Sequence, residues 1–192
     1  MRMGVMGAKG SFSEEAARTY AKKYGKFKIY DISYLITAEN VLSSLENGSI
    51  DLAIFPIENS TGGVVLEALY AMAKYNFSIE RIFEIDIRQN LLVRRGVTRR
   101  EIKVITSHEQ ALKQCRGYLR KKWPKAKLVE YEDTAKAAED LAKGKLPPST
   151  AVIASRTAAE LYKLTIFGKA IQDQKLNYTS FIAARHALTG SR

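Results

Sequence analysis

Apolar and polar positions follow two rhythms along this chain, and the switches between them mark out its elements. A short apolar run at 3–6 leads through a turn holding Gly7 and Gly10 into "SFSEEAARTYAKKYG", where apolar residues recur at helical spacing. Ser11 and Glu14 stand at capping-box distance there, and Gly25 takes the place of a C-terminal cap. A strand is expected at 27–32. Thr37 opens a second helix that Gly48 closes, "DLAIFPI" reads as a buried strand ending at Pro56, and a third helix is expected over 64–75. A β-α-β-α-β-α order of this kind predicts a parallel sheet with helices on its faces.

The second half repeats the plan without repeating the sequence. "SIERIFEIDIRQNLLVRR" reads as one long strand. After it the pattern predicts a strand at 102–105, a helix at 109–122, a strand at 127–131, a helix at 134–143, a strand at 151–154 and a helix at 156–162. The fold class expected is therefore α/β, with two similar α/β lobes and a cleft between them. Lobe 1 takes about residues 1–79 plus 176–192, and lobe 2 about 80–175. The chain crosses near 80–94 and again near 164–176, which returns "NYTSFIAA" to the first lobe as a late-added strand. Two crossings make a hinged cleft, and ligands bind in such clefts.

Composition narrows the function. The chain has 192 residues, 46% of them hydrophobic, enough for one sizeable domain or two small lobes. No run approaches the ~18 apolar residues of a membrane span, and "MRMGVMGAKG" lacks the features of a secretion signal. The single cysteine, Cys115, cannot form an internal disulfide, so a cytoplasmic protein is expected. The net charge of +11 is spread out, and its densest runs, "RRGVTRR" and "RKKWPKAK", fall in turns or at a helix end. They read as solvated surface. With no zinc spacing and no aromatic RNA-binding motif, neither a nucleic acid nor a membrane is expected as a partner.

Four stretches could carry chemistry. In "FPIENSTGGVV" a strand runs into Glu58, Asn59, Ser60 and Thr61, and two glycines then precede a helix. Two readings stand equally: an anion site built from free backbone N–H groups, or a plain helix cap and turn. In "TSHEQALKQC", Ser107 and Gln110 have capping-box spacing, and with Gln114 they form one polar stripe. His108 and His186 have no carboxylate cluster beside them and read as structural or exposed. Cys115 reads as a buried, inert thiol. "GAKGS" supplies only Gly-x-x-Gly, which is not a dinucleotide loop. Last, "QKLNYTSFIAA" places Asn177, Tyr178, Thr179 and Ser180 just ahead of an apolar run.

Taken in order, these motifs resemble the catalytic domain of prephenate dehydratase. "GAKGSFSEEA" matches the family's Gly-x-x-Gly loop, "PIENSTGGVV" its Pro-Ile-Glu-Asn-Ser stretch, and "SHEQALKQC" its Ser-His-x-Gln-Ala helix start. "AVIASRTAAELY" and "IQDQKLNYTSFI" match its last helix and its terminal Asn-x-Thr-Arg-Phe motif. The similarity spans essentially the whole chain. It implies a two-lobed fold resembling type II periplasmic binding proteins and a cytoplasmic lyase of L-phenylalanine biosynthesis. Such an enzyme converts prephenate to phenylpyruvate with loss of CO2 and water, using no cofactor and no metal. The resemblance assigns catalysis to Thr179, Glu58, Asn59 and Gln114, with Thr179 as proton donor to the leaving hydroxyl. Ser11, Ser60, Thr61, Ser107, Gln110, Asn177 and Phe181 are assigned to substrate binding. Backbone amides after Asn59 and before the 109–122 helix are expected to take the substrate carboxylates. Relatives suggest a homodimer. The alternatives are an arogenate dehydratase, or a non-catalytic module of the same fold that binds an aromatic or dicarboxylic ligand.

Two positions depart from the family pattern. Ser180 stands where the family has arginine, and Glu109 where it has proline. Loss of a bidentate carboxylate clamp predicts turnover or binding weaker by roughly ten- to hundredfold. Arg88, Arg156 and Arg185 are possible substitutes for that cation. Many relatives also carry a C-terminal phenylalanine-sensing ACT domain, which the chain up to Arg192 does not include.

Overall fold

The computed structural model describes residues 1–25 and 31–187. In chain order its elements are β1 (Arg2–Val5), α1 (Phe12–Tyr24), β2 (Asp31–Tyr34), α2 (Ala38–Glu46), β3 (Leu52–Asn59), β4 (Gly63–Val64), α3 (Leu66–Met72), β5 (Phe77–Asp86) and β6 (Asn90–Val93). There follow β7 (Val104–Ser107), α4 (Glu109–Gln114), α5 (Arg116–Lys122), β8 (Lys127–Glu130), α6 (Thr134–Ala142), β9 (Thr150–Ala154), α7 (Arg156–Leu161), β10 (Thr165–Gly168) and β11 (Tyr178–His186). The protein is α/β. Most of the strand expected at 27–32 lies outside the described residues, and β2 begins at Asp31.

The residues fall into two compact units. One holds Met1–Ala8, Phe12–Asp86 and the chain from Tyr178, the other Lys9–Ser11 and Ile87–Asn177. In the first unit the sheet runs β2-β1-β3-β11-β5, with β4 paired to β3. β1 is parallel to β2 and β3, whereas β11 is antiparallel to both its neighbours. The sheet is covered on both faces. Val41, Leu42 and Leu45 of α2 pack with Phe55, Ala68, Ile182 and Ala184 on one. On the other, Tyr20 of α1 meets Phe83, which stacks on Phe181 with centroids 5.9 Å apart.

The second unit has the order β10-β6-β9-β7-β8. Strand period sorts its core into two halves. Leu91, Val93, Ala151 and Ile153 face α4 and α5, where Leu112, Cys115, Leu119 and Trp123 wait. Leu92, Val152 and Ala154 face α6 and α7. Burial on both faces explains why these strands read as unbroken apolar runs. Each fully buried Leu or Ile contributes about 1.5–3 kcal/mol.

Four elements differ from the sequence expectation, each for a local reason. β3 does not end at Pro56 but continues to Asn59. Its partner β1 has stopped pairing at Ile54, and a bulge between Ser180 and Phe181 falls beside the proline, which lacks the N–H a regular ladder needs. The third helix loses its first turn to β4, where Gly63 takes a φ of 78° to form a hairpin with Asn59. The stretch expected as one long strand is two, β5 and β6, in different sheets, broken at 87–89. The helix expected at 109–122 is also two, joined at Cys115. Asp173 makes that joint. Its carboxylate accepts from Gly117 N at 2.6 Å and Tyr118 N at 2.8 Å, the amides that a side chain at an N-terminal cap would normally take.

Candidate active site

In the first unit the site grows from the end of β3. Asn59 lies directly across from Thr179 in the ladder. Its Nδ2 donates to Thr179 Oγ1 at 2.8 Å and to the Tyr178 carbonyl at 3.1 Å. Its Oδ1 accepts from Thr61 N (3.0 Å), Thr61 Oγ1 (2.7 Å) and Gly62 N (2.8 Å). Three donors on one oxygen fix which way the carboxamide points. Thr179 is 7% exposed, and because its oxygen accepts from Asn59, its own proton is directed away from that partner. Ser60 closes the strand end, donating from its N–H to the Tyr178 carbonyl at 2.8 Å and accepting from Tyr178 N at 3.0 Å.

These bonds decide between the two readings of "ENSTGG". The amides of Ser60, Thr61 and Gly62 are taken by Tyr178 and Asn59, and the next helix starts only at Leu66. The stretch is a turn held by an asparagine, and its amides do not form the expected carboxylate site. Before α4, His108, not Ser107, is the cap, its Nδ1 accepting from Gln110 N at 3.2 Å. No capping box forms, because Ser107 is 0% exposed and donates to the Ile153 carbonyl at 2.6 Å.

Two residues expected in the site are elsewhere. Glu58 neighbours Asn59 on a strand and so projects from the opposite face, where it lies across from Ser180. Phe181, 1% exposed, is stacked into the core against Phe83 and offers no surface to a ligand. Ser180 shares the face of Glu58 and donates to Glu84 Oε1 at 3.3 Å. An arginine there would start from the face opposite Thr179.

In the second unit, Gln114 and Asn177 come together. Gln114 Oε1 accepts from Asn177 Nδ2 at 3.1 Å and from Gln89 Nε2 at 3.0 Å. The Gln114 carbonyl accepts from Asp173 N at 2.8 Å, tying this residue to the loop that splits the helix. Gln110 is half-buried one turn earlier, and Ser11 is buried. Gln89 and Asp173 escaped the sequence reading because their partners are distant in the chain and no local period marks them. Burial, and secondarily Asp173, push the Cys115 thiol up, which keeps it protonated. The loop before α1 is held by Ser155, whose Oγ donates to the Gly10 carbonyl at 2.6 Å. Among the described residues no group of three His, Cys, Asp or Glu side chains is arranged to hold a metal ion. No helix among them is long and apolar enough to cross a membrane.

Comparison with known proteins identifies the family. The family model for prephenate dehydratase matches residues 3–187. A prephenate dehydratase of Lactococcus lactis is 35% identical over 194 residues, covering 94% of this chain and 62% of its own. A bifunctional chorismate mutase/prephenate dehydratase of Buchnera aphidicola is 32% identical, covering 92% of this chain and 45% of its own. Arogenate dehydratase 5 of Arabidopsis thaliana is 35% identical, covering 95% and 41%. The chain spans about half the length of several of the curated relatives it matches. Among solved structures, a prephenate dehydratase of Arthrobacter aurescens in complex with L-Phe superposes with a TM-score of 0.88 at 26% identity, covering all of this chain and 62% of that one. By family model and by relatives, this chain belongs to the prephenate dehydratase family.

Proposed function

We propose that the protein is a prephenate dehydratase, a lyase that converts prephenate to phenylpyruvate, CO2 and water. The observation that carries this reading is the hydrogen bond from Asn59 Nδ2 to Thr179 Oγ1. It occupies the threonine's oxygen as an acceptor and leaves the hydroxyl to act as a donor. The bond from the ring to its carboxylate breaks, and that electron pair moves through the diene. The C–O bond at the far carbon then breaks as Thr179 gives its proton to the departing oxygen, forming water. Solvent restores the threonine proton. Aromatisation supplies much of the driving force, so the protein's task is to aim one donor and hold two carboxylates.

The Gln114 carboxamide and Asn177 are assigned to substrate positioning. No step uses a cofactor. The cytoplasm, where the single buried thiol stays reduced, is the proposed compartment, and a homodimer is the proposed assembly, to be tested by light scattering.

Purified protein incubated with prephenate, and in parallel with arogenate, provides the test. Phenylpyruvate should accumulate with prephenate, and Thr179→Ala should lose turnover by at least about 100-fold while still binding phenylpyruvate. Faster turnover of arogenate would assign the protein to the activity named for its Arabidopsis relatives. Folded protein that binds phenylpyruvate but turns over neither compound would leave the non-catalytic module.

A further inference from the structure

We propose that Gln89 is a positioning residue for the reaction, acting through Gln114; this rests on the role given to Gln114 above. Three amide side chains meet in the second unit. Gln89 Nε2 and Asn177 Nδ2 both donate to Gln114 Oε1, at 3.0 and 3.1 Å. A carboxamide oxygen has two lone pairs, and both are used. The arrangement fixes the rotation of the Gln114 amide, with its oxygen turned toward Gln89 and Asn177. Without Gln89 the oxygen keeps only the Asn177 donor, and the rotation of the amide that positions the substrate is held less firmly.

Gln89 is well placed for this. It is 4% exposed, and its backbone is gripped on both sides, its N–H donating to Gln172 Oε1 at 3.1 Å and its carbonyl accepting from Ile171 N at 2.8 Å. Its side-chain oxygen is buried with no hydrogen-bond partner. A buried acceptor without a donor is a cost to the fold. An apolar side chain of the same shape would avoid that cost, so stability alone does not account for glutamine here. The donor end of the side chain does, because it is the end that meets Gln114.

Gln89→Met keeps the length and the unbranched shape while removing both polar ends. The expected result is an unfolding temperature equal to or above that of the unaltered protein, with kcat for prephenate reduced about tenfold, the loss of one neutral hydrogen bond, and KM changed less. The double variant with Gln114→Ala should be no slower than Gln114→Ala alone, since the effect of Gln89 passes through Gln114. Unchanged kcat in Gln89→Met, or losses that multiply in the double variant, would overturn the proposal. So would a loss of folding stability that accounts for the whole decrease. A readout independent of turnover is the NMR signal of the Gln114 side-chain NH2. It should be a single dispersed pair whose positions shift in Gln89→Met, and an unchanged pair would reject the proposal. Should the unaltered protein turn over neither prephenate nor arogenate, the functional reading fails separately, and the NMR comparison still decides the Gln89–Gln114 relation.

Discussion

Side-chain direction at 58–59 and 179–180 settles what single residues can do. Thr179 and Asn59 face one way, Ser180 and Glu58 the other, and Glu84 accepts from Ser180. The loss of arginine at 180 therefore removes a cation from beside two carboxylates rather than from the side of Thr179. Ser180→Arg is expected to change stability by no more than about 1 kcal/mol, as exposed ion pairs do. It should change kcat/KM for prephenate less than threefold, well short of the ten- to hundredfold gain the family motif alone suggests. A second residue-scale expectation concerns acid. Tyr131 Oη donates to Asp140 Oδ2 at 2.7 Å, and Lys145 and Lys136 flank the same carboxylate. The Tyr131 bond leads in drawing its pKa down to about 2. A carboxylate whose folded value is depressed contributes fully above its unfolded value of ~4, and the contribution is lost as pH falls through about 2. Urea unfolding between pH 5 and 2 should thus show a steeper loss of stability in the unaltered protein than in Asp140→Asn. Asn59 and Thr179 are put in one site by the family resemblance, and the structure pairs them across β3 and β11. Glu58 and Phe181 are assigned by the family resemblance, which carries no information on which way a side chain faces; with the strand carried past Pro56 to 59, simple alternation puts Glu58 and Asn59 on opposite faces.

At the scale of elements, the break between α4 and α5 is the feature the sequence concealed. Apolar residues keep helical spacing across it, with Ala111, Leu112, Cys115 and Leu119 all buried, so periodicity predicts one helix. The interruption comes from Asp173, fifty-five residues after Tyr118, whose carboxylate replaces a local cap. Asp173→Ala should cost about 1 kcal/mol, within the range for losing a cap, seen as a lower urea midpoint with an unchanged slope. Gly117→Ala should cost no more than that, because the Cβ would stand 2.9 Å from Asp173 Oδ1, the end of a side chain that can shift, and alanine favours the helix. Since Asp173 N also holds the Gln114 carbonyl, both variants should raise KM for prephenate. The strand and helix order of each unit was otherwise readable from period and caps. Thr37 does accept from Asn40 N at 3.1 Å, and Gly48 does follow the end of α2.

For the molecule as a whole, β11 sets the order of events. It is an interior strand, bonded to β3 on one side and to β5 on the other, yet it comes from residues 178–186. A ribosome releasing this chain has delivered every strand of the second unit's sheet before β11 emerges. The second unit can condense while synthesis continues, whereas the first must wait with Phe55 and Phe83 uncovered, since the side chains that cover them arrive with Phe181 and Ile182. A chain ended after Asn177 should therefore keep slow amide exchange in β6, β7 and β9 and lose it in β1 and β3. Thr179 arrives on that closing strand, so the proposed proton donor is present only in a protein whose first sheet is complete. Any species in which that proposed donor is in place has already closed its first sheet.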